Sequence, residues 1–585
     1  MSSAARLRAL LHSMRNAPAA ASVAWRHIGR DRFHAALIAL RALPTGTRRR
    51  VADWAEVRRP SPLTALALAA DGHREDALRV VDEAARDAGP RLLHRLIAVA
   101  AALDAPGDAG RLLGWLSDDD PARARLTALT AATAGDVTRA AHEAGRAGWR
   151  AIRLRRRLAG DLAQLRANSA VEGRRPKVTS LSSRPGCILH LVTNALPEVT
   201  AGYTVRTQGI AAAQRRDGLD SHVATRLGFP VTAGHLGAER LVHVDAVPYH
   251  RILPFRWLPA TADQSLVLDV DLTAQLVGRI RPAVLHAHSK HLNARVALAL
   301  RERFSLPVVY EVRGFLEETW RSRGHDAGTD TYRLARQAET WSMAAADAVV
   351  TLAETMKAEI VARGIEPDRV VVVPNAVDST FLAEPPDPDP VRRRLGFGPD
   401  EVVVGLVTTV NDYEGLDTLV DAVAELRGRG ARTRLLVVGA GPALAGLRRR
   451  SADVGLDEAA VFAGPVPFSE IRAYYAAIDI FCVPRWDTPV TRLVTPLKPL
   501  EAMATGRPVV ASDLPPLREI VNPGQTGAIA PPADPVALAD VLEPLLYDST
   551  DRMRMGDAAR QWVAEHRTWA AATRLYRDLY EKLGA

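Results

Sequence analysis

A segment near the C-terminal end of the chain brings together side chains that could bind a phosphate and a sugar. In RWDTPVTRLVTPLKPLEAMATGRPVVASD, residues 485–513, Arg485, Arg492 and Lys498 precede a predicted amphipathic helix. Cations and the free N–H groups of a helix N-terminus favour an anion such as phosphate. Glu501, in the first turn of that helix, is placed to accept hydrogen bonds from a sugar hydroxyl beside the phosphate. This combination indicates a nucleotide-sugar site.

The elements that must position these side chains are predicted to be strands alternating with helices. From Cys187 onward, short β-branched runs of buried-strand length are separated by helical stretches. This alternation predicts parallel sheets covered by helices on both faces. A Pro- and Asp-rich stretch at 384–390 divides the strands into two series. The first reads CILHLVTNAL, HVATRL, AVLHAHS, PVVYEVR, AVVTLA and VVVVPNAV, and the second reads EVVVGLVTT, TRLLVVGAG, AAVFAG, IDIFCVP, PVVASD and GAIAPP.

Two doubly wound domains in tandem would face each other across a cleft, where the carboxyl ends of their strands bind ligands. We place these domains at 187–383 and 391–565, and a helix at 566–585 that packs back across them. Residues 1–170 are rich in Ala, Leu and Arg with apolar residues at three- and four-residue spacing, which predicts an α-helical extension of solenoid-like hairpins. Residues 171–186 are a polar linker. The predicted class is therefore α/β with an all-α N-terminal extension.

Composition limits the function classes. With 585 residues, 47% of them hydrophobic and 24% charged, the chain is typical of a globular protein of several domains. We find no apolar run of the roughly 20 residues that a membrane-spanning helix needs. The basic N-terminus lacks the apolar core of a secretory signal. We therefore expect a cytoplasmic protein in which Cys187 and Cys482 are buried and reduced.

The positive charge is concentrated in residues 1–180, where Lys and Arg outnumber Asp and Glu, whereas the rest of the chain carries a slight excess of acids. Such an extension could contact an anionic membrane surface, which would place the protein on the inner face of the cell membrane. A solvated, arginine-rich helical surface explains the same charge. Nucleic acid is excluded as a partner because no interleaved aromatic residues or recognised binding motif accompany the arginines.

Residues 495–521, TPLKPLEAMATGRPVVASDLPPLREIV, closely resemble the nucleotide-sugar signature of retaining glycosyltransferase family 4. The resemblance implies the GT-B fold, in which two Rossmann-like domains face each other across a cleft. It covers about 187–580, and the sequence pattern is most similar to that of the branch associated with exopolysaccharide and envelope glycan assembly. The other segments that agree with the family in order and spacing are 202–225, 286–314, 346–378 and 413–427.

Carried over residue by residue, the resemblance implies a donor site in the C-terminal domain. Glu501 matches the glutamate that binds the ribose hydroxyls, and a carboxylate suits a vicinal diol. Gly202 matches a glycine of the N-terminal domain at which the main chain approaches the phosphate. The other matched positions are the turn at the diphosphate, Val494, Thr495 and Leu497, and the loop beside the base, Gly464 and Val466.

The chain departs from the family at three donor positions. Leu493 replaces the first of two acidic residues, which leaves the identity of the transferred sugar open. The arginine and lysine that clamp the diphosphate fall at Thr409 and Glu414, and a glutamate cannot bind phosphate directly. We therefore expect nearby cations to replace the clamp. Lys498 and Arg492 would act in catalysis, and Arg485 would bind the donor.

The N-terminal domain offers candidates for contacts with the reacting sugar and the acceptor. His286 and His288 end a predicted strand and point to the same face. The family places a histidine of this motif near the reacting sugar, and we prefer His288. Glu311 and Arg313 follow the next strand and could orient acceptor hydroxyls or pair with each other. Arg206, in the first helix of this domain, could meet a phosphate on donor or acceptor or lie exposed.

The resulting hypothesis is transfer of a sugar, of hexose type, from a nucleoside-diphosphate sugar to an acceptor hydroxyl, with retention of anomeric configuration. The acceptor would be a glycan or lipid-linked intermediate of envelope or exopolysaccharide biosynthesis. The resemblance implies no metal and no cofactor beyond the nucleotide-sugar co-substrate, and no Asp-x-Asp arrangement is placed to hold a metal. One alternative is a helical-repeat scaffold whose transferase-like module binds a nucleotide sugar without turnover. Another is a different GT-B enzyme, such as an epimerase or a phosphorylase.

Overall fold

The computed structural model describes residues 3–56, 60–166, 181–322 and 325–585. In these residues a helical extension precedes two α/β domains that face each other, which confirms the predicted class. Most of the predicted linker at 171–186 and the last four residues of the predicted extension lie outside the described ranges. None of the helices in the described ranges has the length and the hydropathy of a membrane span.

Within its described residues, the extension contains short helices that pack as hairpins. In α4, Ser61 caps the first turn by accepting from the N–H of Thr64, Pro62 takes the first helical position, and Gly72 ends the helix with φ of +102°. Apolar side chains fill the space between helices. The helices are α1 (Ser3–Arg30), α2 (Arg32–Arg41), α3 (Thr45–Glu56), α4 (Pro62–Asp71), α5 (Arg74–Ala85), α6 (Pro90–Ala102), α7 (Pro106–Leu113), α8 (Arg123–Ala134), α9 (Val137–Arg146) and α10 (Ile152–Arg166).

The first α/β domain is built on an eight-stranded sheet. Its strands are β1 (Cys187–Val192), β2 (Asp220–Thr225), β3 (Leu241–Val244), β4 (Val247–Arg251), β5 (Val284–His288), β6 (Val308–Val312), β7 (Ala348–Thr351) and β8 (Val370–Val372). Their order is β3-β4-β2-β1-β5-β6-β7-β8, and only the edge strand β3 runs antiparallel to its neighbour. The helices here are α11 (Gly202–Arg216), α12 (Ala262–Ile280), α13 (His291–Phe304), α14 (Leu316–Arg321), α15 (Asp330–Ala345) and α16 (Glu354–Ala362).

The second α/β domain is built on a six-stranded parallel sheet of order β11-β10-β9-β12-β13-β14. The strands are β9 (Val402–Val407), β10 (Thr433–Val438), β11 (Ala460–Gly464), β12 (Ile480–Val483), β13 (Val509–Ser512) and β14 (Gly527–Ala530). The helices are α17 (Ser379–Leu382), α18 (Asp389–Arg394), α19 (Leu416–Gly428), α20 (Leu444–Asp453), α21 (Ile471–Ala477), α22 (Lys498–Ala504), α23 (Pro515–Arg518), α24 (Pro535–Tyr547) and α25 (Ser549–His566). One more helix, α26 (Trp569–Lys582), follows α25 in the chain.

The central strands are buried on both faces, as their continuous apolar sequences predict. Every residue of β1, β5 and β6 is buried, and so is every residue of β12 and β13. Cys187 in β1 and Cys482 in β12 are buried and free, which confirms the prediction for both thiols.

The chain crosses between the two α/β domains twice, and the two crossings lie side by side. The N–H of Val377 donates to the carbonyl of Arg567 at 2.8 Å. After this point α26 returns to the eight-stranded domain and packs against α11. Trp569, Tyr576 and Tyr580 of α26 are buried there. The last helix of the chain therefore belongs to the core of the first α/β domain.

The extension is docked on the eight-stranded domain. Helix α10 packs against α12 and α15, and Arg295 in α13 donates to the carbonyl of Gln164 at 2.7 Å. At the other end, the amide of Asn16 in α1 donates to the carbonyls of Leu236 and Ala238 at 2.8 and 2.9 Å. Both ends of the extension are thus tied to the same domain.

Candidate active site

A cavity of about 390 Å³ lies between the two α/β domains. It is formed by the start of α11, by loops that follow strands of both sheets and by the start of α22, which is where doubly wound folds bind ligands. The residues that line it are Gly202, Tyr203, Arg206, Arg313, Leu352, Asn375, 406–409, Asn411, Tyr413, Glu414, 481–483, Arg485 and 494–499.

Glu501 and Lys498 form an ion pair at the start of α22. Lys498 opens the helix, Pro499 has no N–H, and the N–H groups of Leu500 and Glu501 donate to the carbonyl of Leu497 at 3.1 and 3.4 Å. The Lys498 ammonium lies 2.9 Å from Oε2 of Glu501, and the hydroxyl of Tyr475 donates to the same oxygen at 2.6 Å. The Glu501 side chain is 5% exposed and that of Lys498 is 36% exposed. A buried, fixed carboxylate therefore lies next to the cavity, and its lysine partner borders the cavity.

Arg485 is paired with the glutamate that occupies the position of the missing clamp lysine. Its Nε and Nη2 donate to the two carboxylate oxygens of Glu414 at 3.0 and 2.9 Å. Gly415, with φ of +68°, makes this approach feasible, because a Cβ there would lie 1.9 Å from the carbonyl oxygen of Pro484. Arg485 also donates to the carbonyl of Val494 at 3.0 Å. Arg485 thus holds the cavity loop, and its charge is balanced by Glu414 rather than free for a phosphate.

Arg492, which the sequence suggested for the diphosphate, lies outside the cavity. Its side chain is 62% exposed and pairs with Asp487, with Nη2 at 2.7 Å from the carboxylate. The turn at this point causes the displacement, because the N–H of Arg492 donates to the carbonyl of Thr488 at 3.0 Å. Arg492 instead lines a separate surface groove together with Tyr332 and Arg336 of α15. The expectation that Arg492 helps to replace the clamp is therefore not supported by its position.

The remaining donor positions divide into two groups. Val494, Thr495 and Leu497 line the cavity, and so does Thr409 in the loop after β9. The amide of Asn375, in the first crossing between the domains, donates to the carbonyl of Thr495 at 3.0 Å. The predicted base-side residues lie at the end of β11, and they are not among the described residues that line the cavity: Gly464 and Val466.

Gly202 is the first residue of α11, and its backbone borders the cavity opposite the 494–499 loop. A Cβ at this position would lie 3.5 Å from the Leu497 side chain, which is an ordinary contact distance. The protein itself therefore does not require a glycine here. The absence of a side chain instead leaves the N-terminus of a 15-residue helix open to the cavity.

Arg206 is fully buried, with a side chain 1% exposed. Its Nε donates to Glu311 at 2.9 Å. The other four N–H groups are also donated to the protein, to the carbonyls of Val373 and Pro374, the amide of Asn375 and the hydroxyl of Tyr576, at 2.8–3.2 Å. The sequence allowed Arg206 either to lie exposed or to bind a phosphate. Neither prediction agrees with a buried side chain whose N–H groups all have partners within the protein.

Glu311 and Arg313 pair with each other, which was one of the two arrangements the sequence allowed. Nε of Arg313 lies 2.6 Å from Oε1 of Glu311, and the hydroxyl of Tyr576 donates to Oε2 at 2.6 Å. The arginines at the carboxylate hold the pKa of Glu311 well below its usual range despite burial. Glu311 is fully buried and cannot reach an acceptor, whereas Arg313 lines the cavity.

His288, predicted to lie near the reacting sugar, is buried behind Arg313. Nδ1 of His288 contacts the Arg313 guanidinium, and Nε2 lies 2.8 Å from Nδ1 of His190. Burial and the neighbouring arginine lower the pKa of His288 well below its usual value, so the ring is neutral. Both ring nitrogens have partners within the protein. The predicted direct contact between His288 and the sugar is therefore not available in this arrangement.

The sequence interpretation missed the residues that surround this cluster. His190 was visible as a single histidine in the apolar strand CILHLV, which is a signal for a buried, hydrogen-bonded polar group. Gln214 in α11 and the tyrosines Tyr576 and Tyr580 in α26 gave no comparable signal, because their partners are up to 370 positions away in sequence.

Three buried histidines have ring nitrogens within 4.8 Å of one another, which is compatible with a metal by distance: His190, His286 and His288. The same cluster contains the guanidinium groups of Arg206 and Arg313, balanced by the single carboxylate of Glu311. A divalent cation would add charge to a buried group that is already positive, which is strongly unfavourable. The donor set therefore does not fit a metal ion.

Two protein-family models match the chain. One, described as glycosyl transferase 4-like domain, matches residues 201–376, and the other, glycosyl transferases group 1, matches residues 401–548. The first match falls in the eight-stranded domain and the second in the six-stranded domain. Both domains that form the cavity therefore match glycosyltransferase families.

Curated proteins are similar to the same part of the chain. A GDP-mannose-dependent alpha-(1-6)-phosphatidylinositol monomannoside mannosyltransferase of Mycolicibacterium smegmatis is 33% identical over 42% of this chain and 65% of that protein. A D-inositol 3-phosphate glycosyltransferase of Corynebacterium efficiens is 30% identical over 52% of this chain and 72% of that protein. The corresponding protein of Nocardia farcinica is 30% identical over 60% of this chain and 78% of its own length.

Solved structures show the same fold. A sucrose-phosphate synthase of Thermosynechococcus elongatus is similar with a TM-score of 0.56 and 21% identity, over 68% of this chain and 99% of that one. The Anabaena protein HepE in complex with UDP-glucose is similar with a TM-score of 0.53 and 18% identity, over the same shares. At these identities the likeness concerns the fold alone.

Proposed function

This chain belongs to the GT4-type glycosyltransferases of the GT-B fold, and on that premise we propose that it moves a hexose from a nucleoside-diphosphate sugar to an acceptor hydroxyl with retention of anomeric configuration. The observation that carries the proposal is the fixed Glu501 carboxylate beside an interdomain cavity. Oε2 of Glu501 accepts from Tyr475 and Lys498 at 2.6 and 2.9 Å. A carboxylate held in this way is preorganised to accept hydrogen bonds from the ribose diol of a nucleotide.

The cavity supplies the groups that a diphosphate leaving group requires. The N-terminus of α11, at Gly202, offers backbone N–H groups to an anion. Lys498 borders the cavity beside them. Preorganised donors of this kind stabilise the charge that develops as the sugar–phosphate bond breaks.

In the proposed reaction the leaving phosphate oxygen accepts the proton of the acceptor hydroxyl, and the hydroxyl attacks the face from which the diphosphate departs. This route needs no strong enzymatic base, and the candidate bases of the first domain are in fact withdrawn from the cavity: Glu311 and His288 are buried and hydrogen-bonded. Closure of the two domains would exclude water and limit hydrolysis of the donor.

For the acceptor we propose a glycan or lipid-linked intermediate of envelope or exopolysaccharide biosynthesis. The similar protein of Mycolicibacterium smegmatis is a phosphatidylinositol monomannoside mannosyltransferase, and that of Corynebacterium efficiens is a D-inositol 3-phosphate glycosyltransferase. A membrane-bound acceptor would agree with the surface of α1, where Leu10, Leu11 and Met14 are exposed next to Arg15. Apolar side chains beside cations are typical of contact with an anionic membrane face.

The membrane contact is tested by flotation of the full chain with vesicles of neutral lipid and of neutral lipid mixed with phosphatidylglycerol. We expect binding to the anionic vesicles at low salt, and weaker binding when Leu10 and Met14 are both changed to Ser. Equal flotation with both vesicle types, or none with either, would remove the membrane from the proposal.

The transfer itself is tested with the full chain and a panel of UDP-, GDP- and ADP-hexoses, by release of nucleoside diphosphate and by NMR of the product's anomeric proton. We expect Glu501→Gln to reduce kcat/KM by about a hundredfold or more, because the ribose contact is lost with the charge. Glu458→Gln, at an exposed position of the same domain, is the matched control. Donor binding without any turnover by the wild type would instead favour the alternative of a scaffold with an inactive transferase-like module.

A further inference from the structure

The ionisable groups of the two cavity walls differ in how their charges are balanced. On the six-stranded side, Arg485 pairs with Glu414 and Lys498 with Glu501. On the eight-stranded side, Arg206 and Arg313 both contact one carboxylate oxygen of a single glutamate, at 2.9 and 2.6 Å. That glutamate, Glu311, is their only carboxylate contact among the described residues.

The histidines packed against these arginines do not add charge. Burial lowers the pKa of His190 to about 3, and it also lowers the pKa of His286 and of His288. The tyrosines of α26 remain protonated, because burial and the nearby carboxylate raise the pKa of Tyr576 and burial raises that of Tyr580. The cluster therefore carries a net charge of one positive unit.

The hydrogen bonds of the cluster run in one direction, beginning at Arg313. A guanidinium can only donate, so Nδ1 of His288 must accept from Arg313. A neutral His288 then carries its proton on Nε2 and donates to Nδ1 of His190 at 2.8 Å. By the same logic His190 donates through Nε2 to the amide oxygen of Gln214 at 2.8 Å.

The same direction follows from the other end of the chain of hydrogen bonds. Nε2 of His286 lies 3.2 Å from Oε2 of the ionised Glu311, an ion-pair distance without hydrogen-bond geometry, and a proton on that nitrogen is favoured there because the carboxylate can only accept. Nδ1 of His286 therefore accepts from the hydroxyl of Tyr580 at 2.6 Å. The amide nitrogen of Gln214 donates to the oxygen of Tyr580 at 3.1 Å and closes the path from Arg313 to Glu311.

This network fixes which arginine is available to a ligand. Arg206 donates all five of its N–H groups to the protein. Arg313 donates four, to Glu311, Tyr203, Thr207 and His288, and lines the cavity. A net positive charge held in a buried cluster is costly unless an anion balances it. Within the described residues, four of the five N–H groups of Arg313 have partners, and the fifth remains for that anion.

We infer that Arg313 binds a phosphate group of a substrate in the cavity and replaces, from the opposite domain, the diphosphate clamp that Thr409 and Glu414 no longer provide. Tyr580 of the last helix acts as a positioning residue, because its hydroxyl joins the two halves of the network that orients Arg313. The inference rests on the proposed nucleotide-sugar chemistry for the identity of the ligand, but the anion site itself can be tested without turnover.

The test is calorimetric titration of the full chain with UDP, GDP, ADP, the three nucleosides and inorganic pyrophosphate. We expect Arg313→Gln to weaken the preferred nucleoside diphosphate at least thirtyfold and its nucleoside by less than twofold. Arg518→Gln, at an exposed arginine of the six-stranded domain that pairs with Asp513, is the matched control and should leave both affinities within twofold. Thermal unfolding establishes that each variant is folded. If the Arg313→Gln protein is not folded, Arg313→Lys takes its place, and we expect its affinity for the nucleoside diphosphate to fall about tenfold.

A second arm compares myo-inositol 1-phosphate with myo-inositol, because the phosphate could belong to the acceptor instead of the donor. A loss confined to the phosphorylated polyol assigns Arg313 to the acceptor phosphate and still supports the anion site. Unchanged affinity of the Arg313 variants for every phosphate-bearing probe, or no binding of any of them by the wild type, overturns the inference. If the protein binds phosphate through Arg313 but has no transferase activity, the proposed function is rejected and the anion site at Arg313 is still supported.

The positioning role is tested with Tyr580→Phe. We expect the affinity for the nucleoside diphosphate to fall about three- to tenfold, while the affinity for the nucleoside stays within twofold, because only the orientation of Arg313 is disturbed. Tyr547→Phe, at an exposed tyrosine of α24, is the control. A Tyr580→Phe protein that is less stable but has unchanged diphosphate affinity would show a purely structural role and reject the positioning.

Discussion

On the six-stranded wall of the cavity each cation faces its own carboxylate, Arg485 with Glu414 and Lys498 with Glu501. On the eight-stranded wall two arginines share Glu311, and the histidines around them are neutral. The first wall is therefore suited to hydroxyl groups and to backbone contacts with a nucleotide. The second wall carries the unbalanced charge. If the donor lies on the first wall, its phosphate reaches that charge only when the two domains are close, which would link charge stabilisation to domain closure.

The comparison is tested most severely by removing the shared carboxylate. Glu311→Gln leaves two buried guanidinium groups without a counter-charge, and loss of one partner of a buried ion pair costs about 3–5 kcal/mol. Glu414→Gln, in the balanced wall, leaves a single arginine, which borders the cavity, and should cost clearly less. Urea unfolding of both variants measures this difference. Equal destabilisation would mean that the two walls are electrostatically alike.

The two walls should also respond differently to acid. His190 has a pKa of about 3 in the folded protein and about 6.5 when unfolded, so its stabilising contribution is present above pH 6.5 and is lost as the pH falls toward 3. At pH 5 the loss for one such histidine is about 2 kcal/mol. We expect amide hydrogen exchange, corrected for intrinsic rates, to accelerate in β1 and β5 between pH 7.5 and pH 5, and to change less in β12 and β13. The opposite order would contradict the neutral state of the buried histidines.

A smaller effect is expected for the lysine that the sequence placed at the diphosphate. Lys498→Ala removes a cation that is already paired with Glu501, so kcat/KM should fall about tenfold, or about 1.4 kcal/mol. The loss should be smaller than for Arg313→Gln measured with the same donor. A larger loss of kcat/KM for Lys498→Ala than for Arg313→Gln would show that the main diphosphate contact lies on the six-stranded wall.

The smallest effect is expected for Arg492, which pairs with Asp487 outside the cavity. Arg492→Gln should leave kcat/KM within twofold of the wild type. Steady-state kinetics with a saturating acceptor would measure it. A tenfold or greater loss would show that the loop carrying Arg492 rearranges to reach the donor.

Much of the fold could be predicted because its signals are local. β-Branched runs predicted the buried strands of both sheets, and a Pro- and Asp-rich stretch predicted the joint between them. The hairpin of β3 and β4 was missed, since the edge strand β3 is only four residues long with exposed and half-buried positions in alternation, and β4 contains Pro248. Edge strands of this kind carry a weak apolar signal.

The candidate site was predicted in part for the same reason. Thr495, Leu497 and Glu501 follow one another around a helix start, so their proximity to one another is fixed by the chain itself. The environment of Arg206 was not predictable in this way, because its partners Glu311 and Tyr576 lie 105 and 370 positions away. Whether an arginine is free or already paired depends on such distant contacts.

The sequence by itself determined the two α/β domains, the helical extension and the position of the nucleotide-sugar signature, because hydrophobic periodicity and helix starts are properties of neighbouring residues. The tertiary structure decided which charges balance each other. It pairs Arg485 with Glu414, turns Arg492 away from the cavity and gives Arg206 and Arg313 one carboxylate between them. Electrostatic balance is set by distances of a few ångströms between side chains, and only the folded chain fixes those distances.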